Sequence, residues 1–254
     1  MTTPKRTAVI LVAAGRGLRA GGGGPKQYRS IGGRAVIHRA MAAFSDHPEI
    51  AVVQPVVNPD DIAVFTAAVS DLSHETPVNG GATRQASVLA GLEALVPHRP
   101  DIVLIHDAAR PFVSAGVISR AIQAASRTGA AIPVIPVTDT IKQVSEAGDI
   151  DATPERAKLR IAQTPQTFRF EPILEAHRRA ARDGLNEFTD DAAIAEWAGL
   201  TVTTFEGDVA NMKLTTPEDF VREEARLAAQ LGDIRTGTGY DVHAFGEGDH
   251  VWLC

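Results

Sequence analysis

A chain of 254 residues that is 44% hydrophobic and 22% charged can bury a substantial core, and one large globular domain is the natural expectation. Its formal charge of -6, pI near 5.7 and 5% aromatic content supply neither the basic footprint nor the stacking platform of a nucleic-acid binder. The only Cys is residue 254, which excludes an internal disulfide framework and suits a reducing cytoplasm, and the short apolar run after MTTPKR is too brief for a membrane span or a signal peptide.

The charge is unevenly spread. Residues 1–45 hold eight cations, Lys5, Arg6, Arg16, Arg19, Lys26, Arg29, Arg34 and Arg39, and no Asp or Glu. The excess centres on AVILVAAGRGLRAGGGGPKQYR (8–29), a strand-like run that enters a glycine loop studded with cations. Backbone N–H groups and cations in such a loop suit a small phosphate ligand.

In chain order, apolar runs rich in Val and Ile recur at 8–14, 51–57, 102–105 and 130–137, which predicts parallel strands covered on both faces. Helices are predicted between them at 34–44, from Asn58-Pro59-Asp60-Asp61 onward, at 83–95 and at 114–128. The alternation implies an α/β, doubly wound, mostly parallel sheet with ligands at the carboxyl ends of its strands. Residues 138–163 break the pattern with short alternating segments around a polar turn at 146–148, which predicts a protruding β-arm and a dimer contact. Helices follow at 171–182 and 190–198, a strand at 200–205, and a closing amphipathic helix at 217–231 introduced by Thr216.

Gly15-Arg16-Gly17-Leu18-Arg19-Ala20 matches the dinucleotide pattern G-x-G-x-x-G/A, so a Rossmann oxidoreductase has to be weighed. Two features oppose it. Gly21 to Gly24 and Pro25 prevent the continuous helix that the motif should open, and the second strand ends in Val57-Asn58 rather than in a ribose-binding acid. No Walker A sequence occurs. Four glycines alone read more simply as a surface linker, but Arg16, Arg19 and Lys26 in the same loop favour a flexible flap that wraps a polyphosphate.

AAGRGLRAGGGGPKQY resembles the signature of the sugar-nucleotidyltransferase superfamily, and PKQY resembles the 2-C-methyl-D-erythritol 4-phosphate cytidylyltransferases in particular. GGATRQASVLAGL (80–92), HDAARPF (106–112), PVTDTIK (136–142), QTPQTF (163–168), TDDA (189–192) and NMKLTTPEDF (211–220) resemble further blocks of that family in the same order, across roughly residues 7–231. The resemblance implies a nucleotidyltransferase, Rossmann-like fold and attack by the phosphate of methylerythritol phosphate on the α-phosphorus of CTP, with pyrophosphate released. Two anions meet in such a reaction, so cations and positioning should dominate, with Mg²⁺ accompanying CTP. A cytidylyltransferase for another polyol phosphate, such as ribitol phosphate, and a nucleotide-binding module without turnover are the competing readings.

By resemblance, Arg19 and Lys26 contact the triphosphate and the reacting phosphorus, and Lys213 approaches from the other side. Ala13, Ala14, Gly15 and Gly17 lend backbone groups to the nucleotide, and Gly81, Ala82 and Ser87 surround the cytosine and ribose. Many relatives carry an acid where Ala82 stands, so only backbone can serve there. Ser87 could instead be a helix cap, and Arg84 a brace formed by ion pairing. Asp107 is expected to hold substrate hydroxyls or lie near Mg²⁺, and His106 to be a packed structural histidine. Thr140 and Arg156 on the arm are implied to bind the polyol phosphate of the neighbouring subunit, with Thr189 serving the same substrate, so a homodimer is expected.

The last segment, IRTGTGYDVHAFGEGDHVWLC (234–254), resembles the opening of 2-C-methyl-D-erythritol 2,4-cyclodiphosphate synthase. Asp241 and His243 are two apart and share one face of a strand, and in that family they help to bind a divalent metal such as Zn²⁺. The expectation is a cytidylyltransferase domain over 1–231, then a linker and the incomplete start of a second domain over 232–254 whose metal site is unfilled.

Overall fold

The computed structural model describes residues 6–16, 24–230 and 237. The chain runs β1 (Thr7–Ala13), β2 (Ser30–Ile31), β3 (Arg34–Ala35), α1 (Val36–Ser45), β4 (Val52–Val57), α2 (Ile62–Ala68), β5 (Val78–Asn79), α3 (Arg84–Leu95), β6 (Ile102–Asp107), α4 (Ala115–Thr128) and β7 (Ala130–Pro136). It continues with β8 (Gln143–Val144), β9 (Ile150–Ala152), β10 (Arg160–Ala162), β11 (Gln166–Arg169), α5 (Phe170–Arg182), α6 (Asp191–Trp197), β12 (Thr203–Glu206) and α7 (Pro217–Gln230).

The main sheet has the order β10-β7-β11-β6-β1-β4-β5, with β12 also paired to β7. β1 lies parallel to β4 and β6, and β4 is parallel to β5. The chain leaves β1 toward β4 on one side and returns to β6 on the other. Their carboxyl ends therefore flank a topological switch point, where a doubly wound sheet leaves a crevice for ligand.

Alternate residues of the central strands serve two cores. On β1, Val9, Leu11 and Ala13 join α1 and α4, while Ala8 and Ile10 face α3, α5 and α6. β6 divides likewise, with Ile102 and Leu104 on the first side and Val103 and Ile105 on the second. Burial on both faces explains why these strands read as continuous apolar runs rather than alternating ones. Gly91 lets α3 lie close against the sheet, since a Cβ there would lie 2.7 Å from Ile10 Cγ2 and 2.9 Å from Val56 Cγ2.

Three local expectations change. The helix predicted at 34–44 begins at Val36, because Arg34 and Ala35 pair antiparallel with Ser30 and Ile31 in a small hairpin. The strand predicted at 200–205 forms later, at Thr203–Glu206. β11, unexpected from its sequence, inserts antiparallel between β6 and β7. Within 138–163, β8 and β9 pair antiparallel as a separate hairpin around a turn closed by Ser145 and Asp149, while β10 returns to the main sheet against β7. Among the described residues no helix is long and apolar enough to cross a membrane.

Candidate active site

The crevice at the switch point is a cleft of about 480 Å³. β1 delivers Ala13, Ala14, Gly15 and Arg16 to it, and β6 delivers Asp107, Ala108 and Ala109. Gly81, Ala82, Thr83, Arg84 and Ser87 form one wall, with Lys26 and Gln27 on another and Lys213 across the mouth. Thus nine of the sequence-derived residues meet in one pocket: Ala13, Ala14, Gly15, Lys26, Gly81, Ala82, Ser87, Asp107 and Lys213. Gly17, Arg19, Asp241 and His243 lie outside the described residues. Thr140, Arg156 and Thr189 are exposed and do not line this pocket; Arg156 donates to the carbonyl of Thr138 at 2.8 Å, at the root of the arm.

The wall after β5 is built by close approach. A Cβ on Gly80 would overlap Ala14, so only glycine lets the two loops touch. Thr83 caps α3 by accepting from the N–H of Ala86 at 3.1 Å. Ser87 is therefore not the cap: its hydroxyl donates to the Thr83 carbonyl at 2.9 Å and accepts from the N–H of Gly81 at 3.1 Å, tying the loop to the helix.

Gln27 is a buried residue that the sequence reading passed over. Its Nε2 donates to the carbonyls of Ala13 at 2.7 Å and Gly15 at 3.0 Å, joining the far end of the glycine loop to its start. Beside it Lys26 Nζ donates to the Leu214 carbonyl at 2.7 Å, so the two cations Lys26 and Lys213 converge through adjacent backbone. Arg16 lines the pocket while pairing with Asp60 at 2.5 Å.

Among the described residues Asp107 is the pocket's only carboxylate. Arg84 Nε lies 3.2 Å from its Oδ1 and Lys213 Nζ 2.7 Å from its Oδ2. Burial alone would raise its pKa, but Arg84 and Lys213 outweigh burial and hold the carboxyl well below the usual range. Arg84 also donates to buried Asp191 at 2.8 Å. Burial works against its charge, yet Asp191 and Asp107 raise its pKa further. Arg84 is thus the ion-paired brace that its position allowed.

His106 supports Asp107 from behind. It is fully buried, edge-on to Phe44 at 4.9 Å between ring centres. The Arg110 carbonyl, 3.0 Å from Nε2, can only accept, so Nε2 carries the proton. Nδ1 then accepts from the Thr164 hydroxyl at 3.0 Å, and that oxygen accepts from the N–H of Asp107 at 3.2 Å. Burial pushes the His106 pKa down to about 4, which keeps the imidazole neutral. It is structural, as expected.

Among the described residues no group of three or more His, Cys, Asp or Glu side chains could hold a metal. A magnesium ion carried on a triphosphate needs only one or two protein carboxylates and otherwise uses phosphate and water. Asp107 fits that modest demand, although two cations already engage its oxygens.

The topology and a cleft lined by two lysines and two arginines define a doubly wound α/β domain with a cationic crevice suited to an anionic ligand. Comparison with known proteins narrows this. Residues 7–229 match the family described as 2-C-methyl-D-erythritol 4-phosphate cytidylyltransferase, and the chain belongs to that family. A protein of Bradyrhizobium sp. strain BTAi1 named bifunctional enzyme IspD/IspF is 87% identical over the whole chain, which covers 65% of that protein. A namesake from Bradyrhizobium diazoefficiens is 80% identical, with 64% of its length covered. The chain therefore spans about 65% of the length of these curated relatives.

Solved structures agree. The 4-diphosphocytidyl-2C-methyl-D-erythritol synthase of Anaerococcus prevotii superposes with a TM-score of 0.78 at 30% identity, covering 89% of this chain and 97% of that one. The 2-C-methyl-D-erythritol 4-phosphate cytidylyltransferase of Thermus thermophilus gives a TM-score of 0.69 at 36% identity, covering 86% and 98%.

Proposed function

We propose that the chain transfers CMP from CTP to 2-C-methyl-D-erythritol 4-phosphate, releasing pyrophosphate and forming 4-diphosphocytidyl-2-C-methyl-D-erythritol. The observation that carries this reading is the convergence of Lys26 and Lys213 on one pocket with the backbone of residues 13–15 and 81–82. A phosphate oxygen of the polyol substrate forms a bond to the α-phosphorus as the bridging oxygen between the α- and β-phosphates departs with its electron pair on pyrophosphate. Charge grows on the equatorial oxygens, so fixed cations stabilise the transition state and no side-chain nucleophile is needed.

In this reading Lys26 faces the triphosphate, and Lys213 faces the reacting phosphorus while Asp107 fixes its ammonium. Arg19 joins them by resemblance. The nucleotide rests on Ala13, Ala14, Gly15 and Gly17 and on Gly81, Ala82 and Ser87. Mg²⁺ would arrive with CTP and offset charge on the outer phosphates, with Asp107 the carboxylate nearest to hand. Asp107 and Thr189 take the polyol, and Thr140 and Arg156 take its phosphate from the neighbouring subunit of a homodimer. The exposure of Val144, Ile150 and Ile161 on the arm supports an interface there. A cytoplasmic location suits the single cysteine. Residues 1–231 would form the transfer domain, and 232–254 the linker and start of a second unit, in keeping with relatives named as bifunctional.

Phosphorus NMR tests the reaction directly. CTP and methylerythritol phosphate should be replaced by two coupled diphosphate resonances of a new product and by pyrophosphate. Unchanged substrate spectra with folded protein would overturn the proposal.

A further inference from the structure

His177 lies within α5, is fully enclosed, and faces α6. Its Nε2 is 3.4 Å from Asp191 Oδ1, a close contact short of a hydrogen bond, and among the described residues neither ring nitrogen nor that oxygen has a hydrogen-bond partner. A hydrocarbon of similar size would be less costly to enclose than an imidazole and a carboxylate together. What the imidazole adds is a polar ring edge 3.4 Å from one oxygen of Asp191.

The other oxygen of Asp191 accepts from Arg84 Nη2 at 2.8 Å. Gln166 Oε1 accepts from the N–H groups of Asp191 and Ala192 at 3.0 and 2.9 Å, so the backbone of that turn is already fixed. The rotation of the carboxylate is not fixed by those bonds. From Arg84 the contacts continue to Asp107 and from Asp107 to Lys213. A single file, His177, Asp191, Arg84, Asp107 and Lys213, thus runs from the inner face of α5 to the pocket. Only its last three members line that pocket.

We propose that His177 is a positioning residue for the transfer reaction: its polar ring edge, packed against the Asp191 carboxylate, limits the rotation of that group, which aims Arg84 and through it Asp107 and Lys213. This rests on the proposed reading of Asp107 and Lys213 as parts of the transfer site. Without the imidazole, Asp191 can turn about its last torsion and Arg84 is held firmly only from the Asp107 side. A misplacement approaching 1 Å at reacting groups costs up to about 100-fold, and a loss transmitted through three contacts should be smaller, about tenfold.

The test compares His177→Leu, which removes the donor, with His177→Gln, whose amide can donate to Asp191. Three readouts are taken: thermal midpoint, kcat and KM for both substrates, and hydrogen exchange of the Arg84 Nε–H by NMR. The expected result is a folded Leu variant with kcat lowered about tenfold, nearly unchanged KM for CTP and faster Arg84 Nε–H exchange, with the Gln variant close to wild type in all three. If the Leu variant does not fold, His177→Asn, whose shorter amide falls short of Asp191, replaces it. Unchanged kcat and unchanged Arg84 exchange in a folded donor-less variant would overturn the positioning role. The exchange readout needs no turnover, so an inactive wild type would contradict the functional reading alone and still leave His177 decided.

Discussion

Lys26 and Lys213 reach the pocket from distant parts of the chain, and the Leu214 carbonyl is the hinge between them. In the proposed reading each holds a fixed charge beside the place where the transition state gathers its own, the circumstance in which one lost donor costs about 3–4 kcal/mol. Lys26→Ala and Lys213→Ala should each lower kcat by two to three orders of magnitude, roughly the rate equivalent of that loss. Steady-state pyrophosphate release measures it, and near-wild-type turnover in both variants would remove these residues from the mechanism.

His106 makes a different residue-scale prediction. Its pKa is about 4 in the folded protein and 6.5 unfolded, so the unfolded chain binds the extra proton first as pH falls. The stabilisation is fully present above pH 6.5, declines as pH drops through the window and is lost below about 4, a contribution on the order of 3 kcal/mol. Urea unfolding of wild type against His106→Gln should show that extra acid sensitivity in wild type alone. Parallel pH profiles would disprove it.

The loop and helix after β5 act as one element. Thr83 caps α3, Ser87 fastens the loop, and Gly80 admits Ala14. Thr83→Ala should cost about 1 kcal/mol of stability, the ordinary value of an N-cap, read as a shift in the urea midpoint. Gly80→Ala should instead weaken CTP binding, because its Cβ would push apart the two strand ends that floor the pocket. An unchanged CTP affinity in a folded Gly80→Ala protein would mean that this wall is not the nucleotide's.

Legibility in sequence follows the range of the forces involved. β1, β4 and β6 announce themselves because burial on both faces demands unbroken apolar runs, and Thr83 and Ser114 mark helix starts through local hydrogen bonds. β11 gives no such sign: QTFR is short, and its place is set by antiparallel pairing with β6 and β7. The pocket cations were legible through the charge imbalance and the family motifs. Gln27 was not, since its role is to join two ends of one loop. Nor were the partners of Arg84, which lie 23 and 107 residues away along the chain.

At the scale of the whole molecule, segment 138–163 does not line the pocket and carries exposed Val144, Ile150 and Ile161 as well as Arg156. If the arm completes a neighbour's site, Arg156→Ala and Lys26→Ala proteins, each inactive alone, should recover part of their activity when mixed. Hybrid dimers would then contain one intact site. No recovery despite demonstrated subunit exchange would show each site to be complete within one chain.

The central claim is that a cationic cleft at the β1/β6 switch point joins CTP to a methylerythritol phosphate. It is tested most directly by pyrophosphate release over a grid of ATP, CTP, GTP and UTP against methylerythritol phosphate, ribitol phosphate and other polyol phosphates. The account predicts the highest kcat/KM for CTP with methylerythritol phosphate. A higher value for any other pair, or no release from any pair by folded protein, would contradict it.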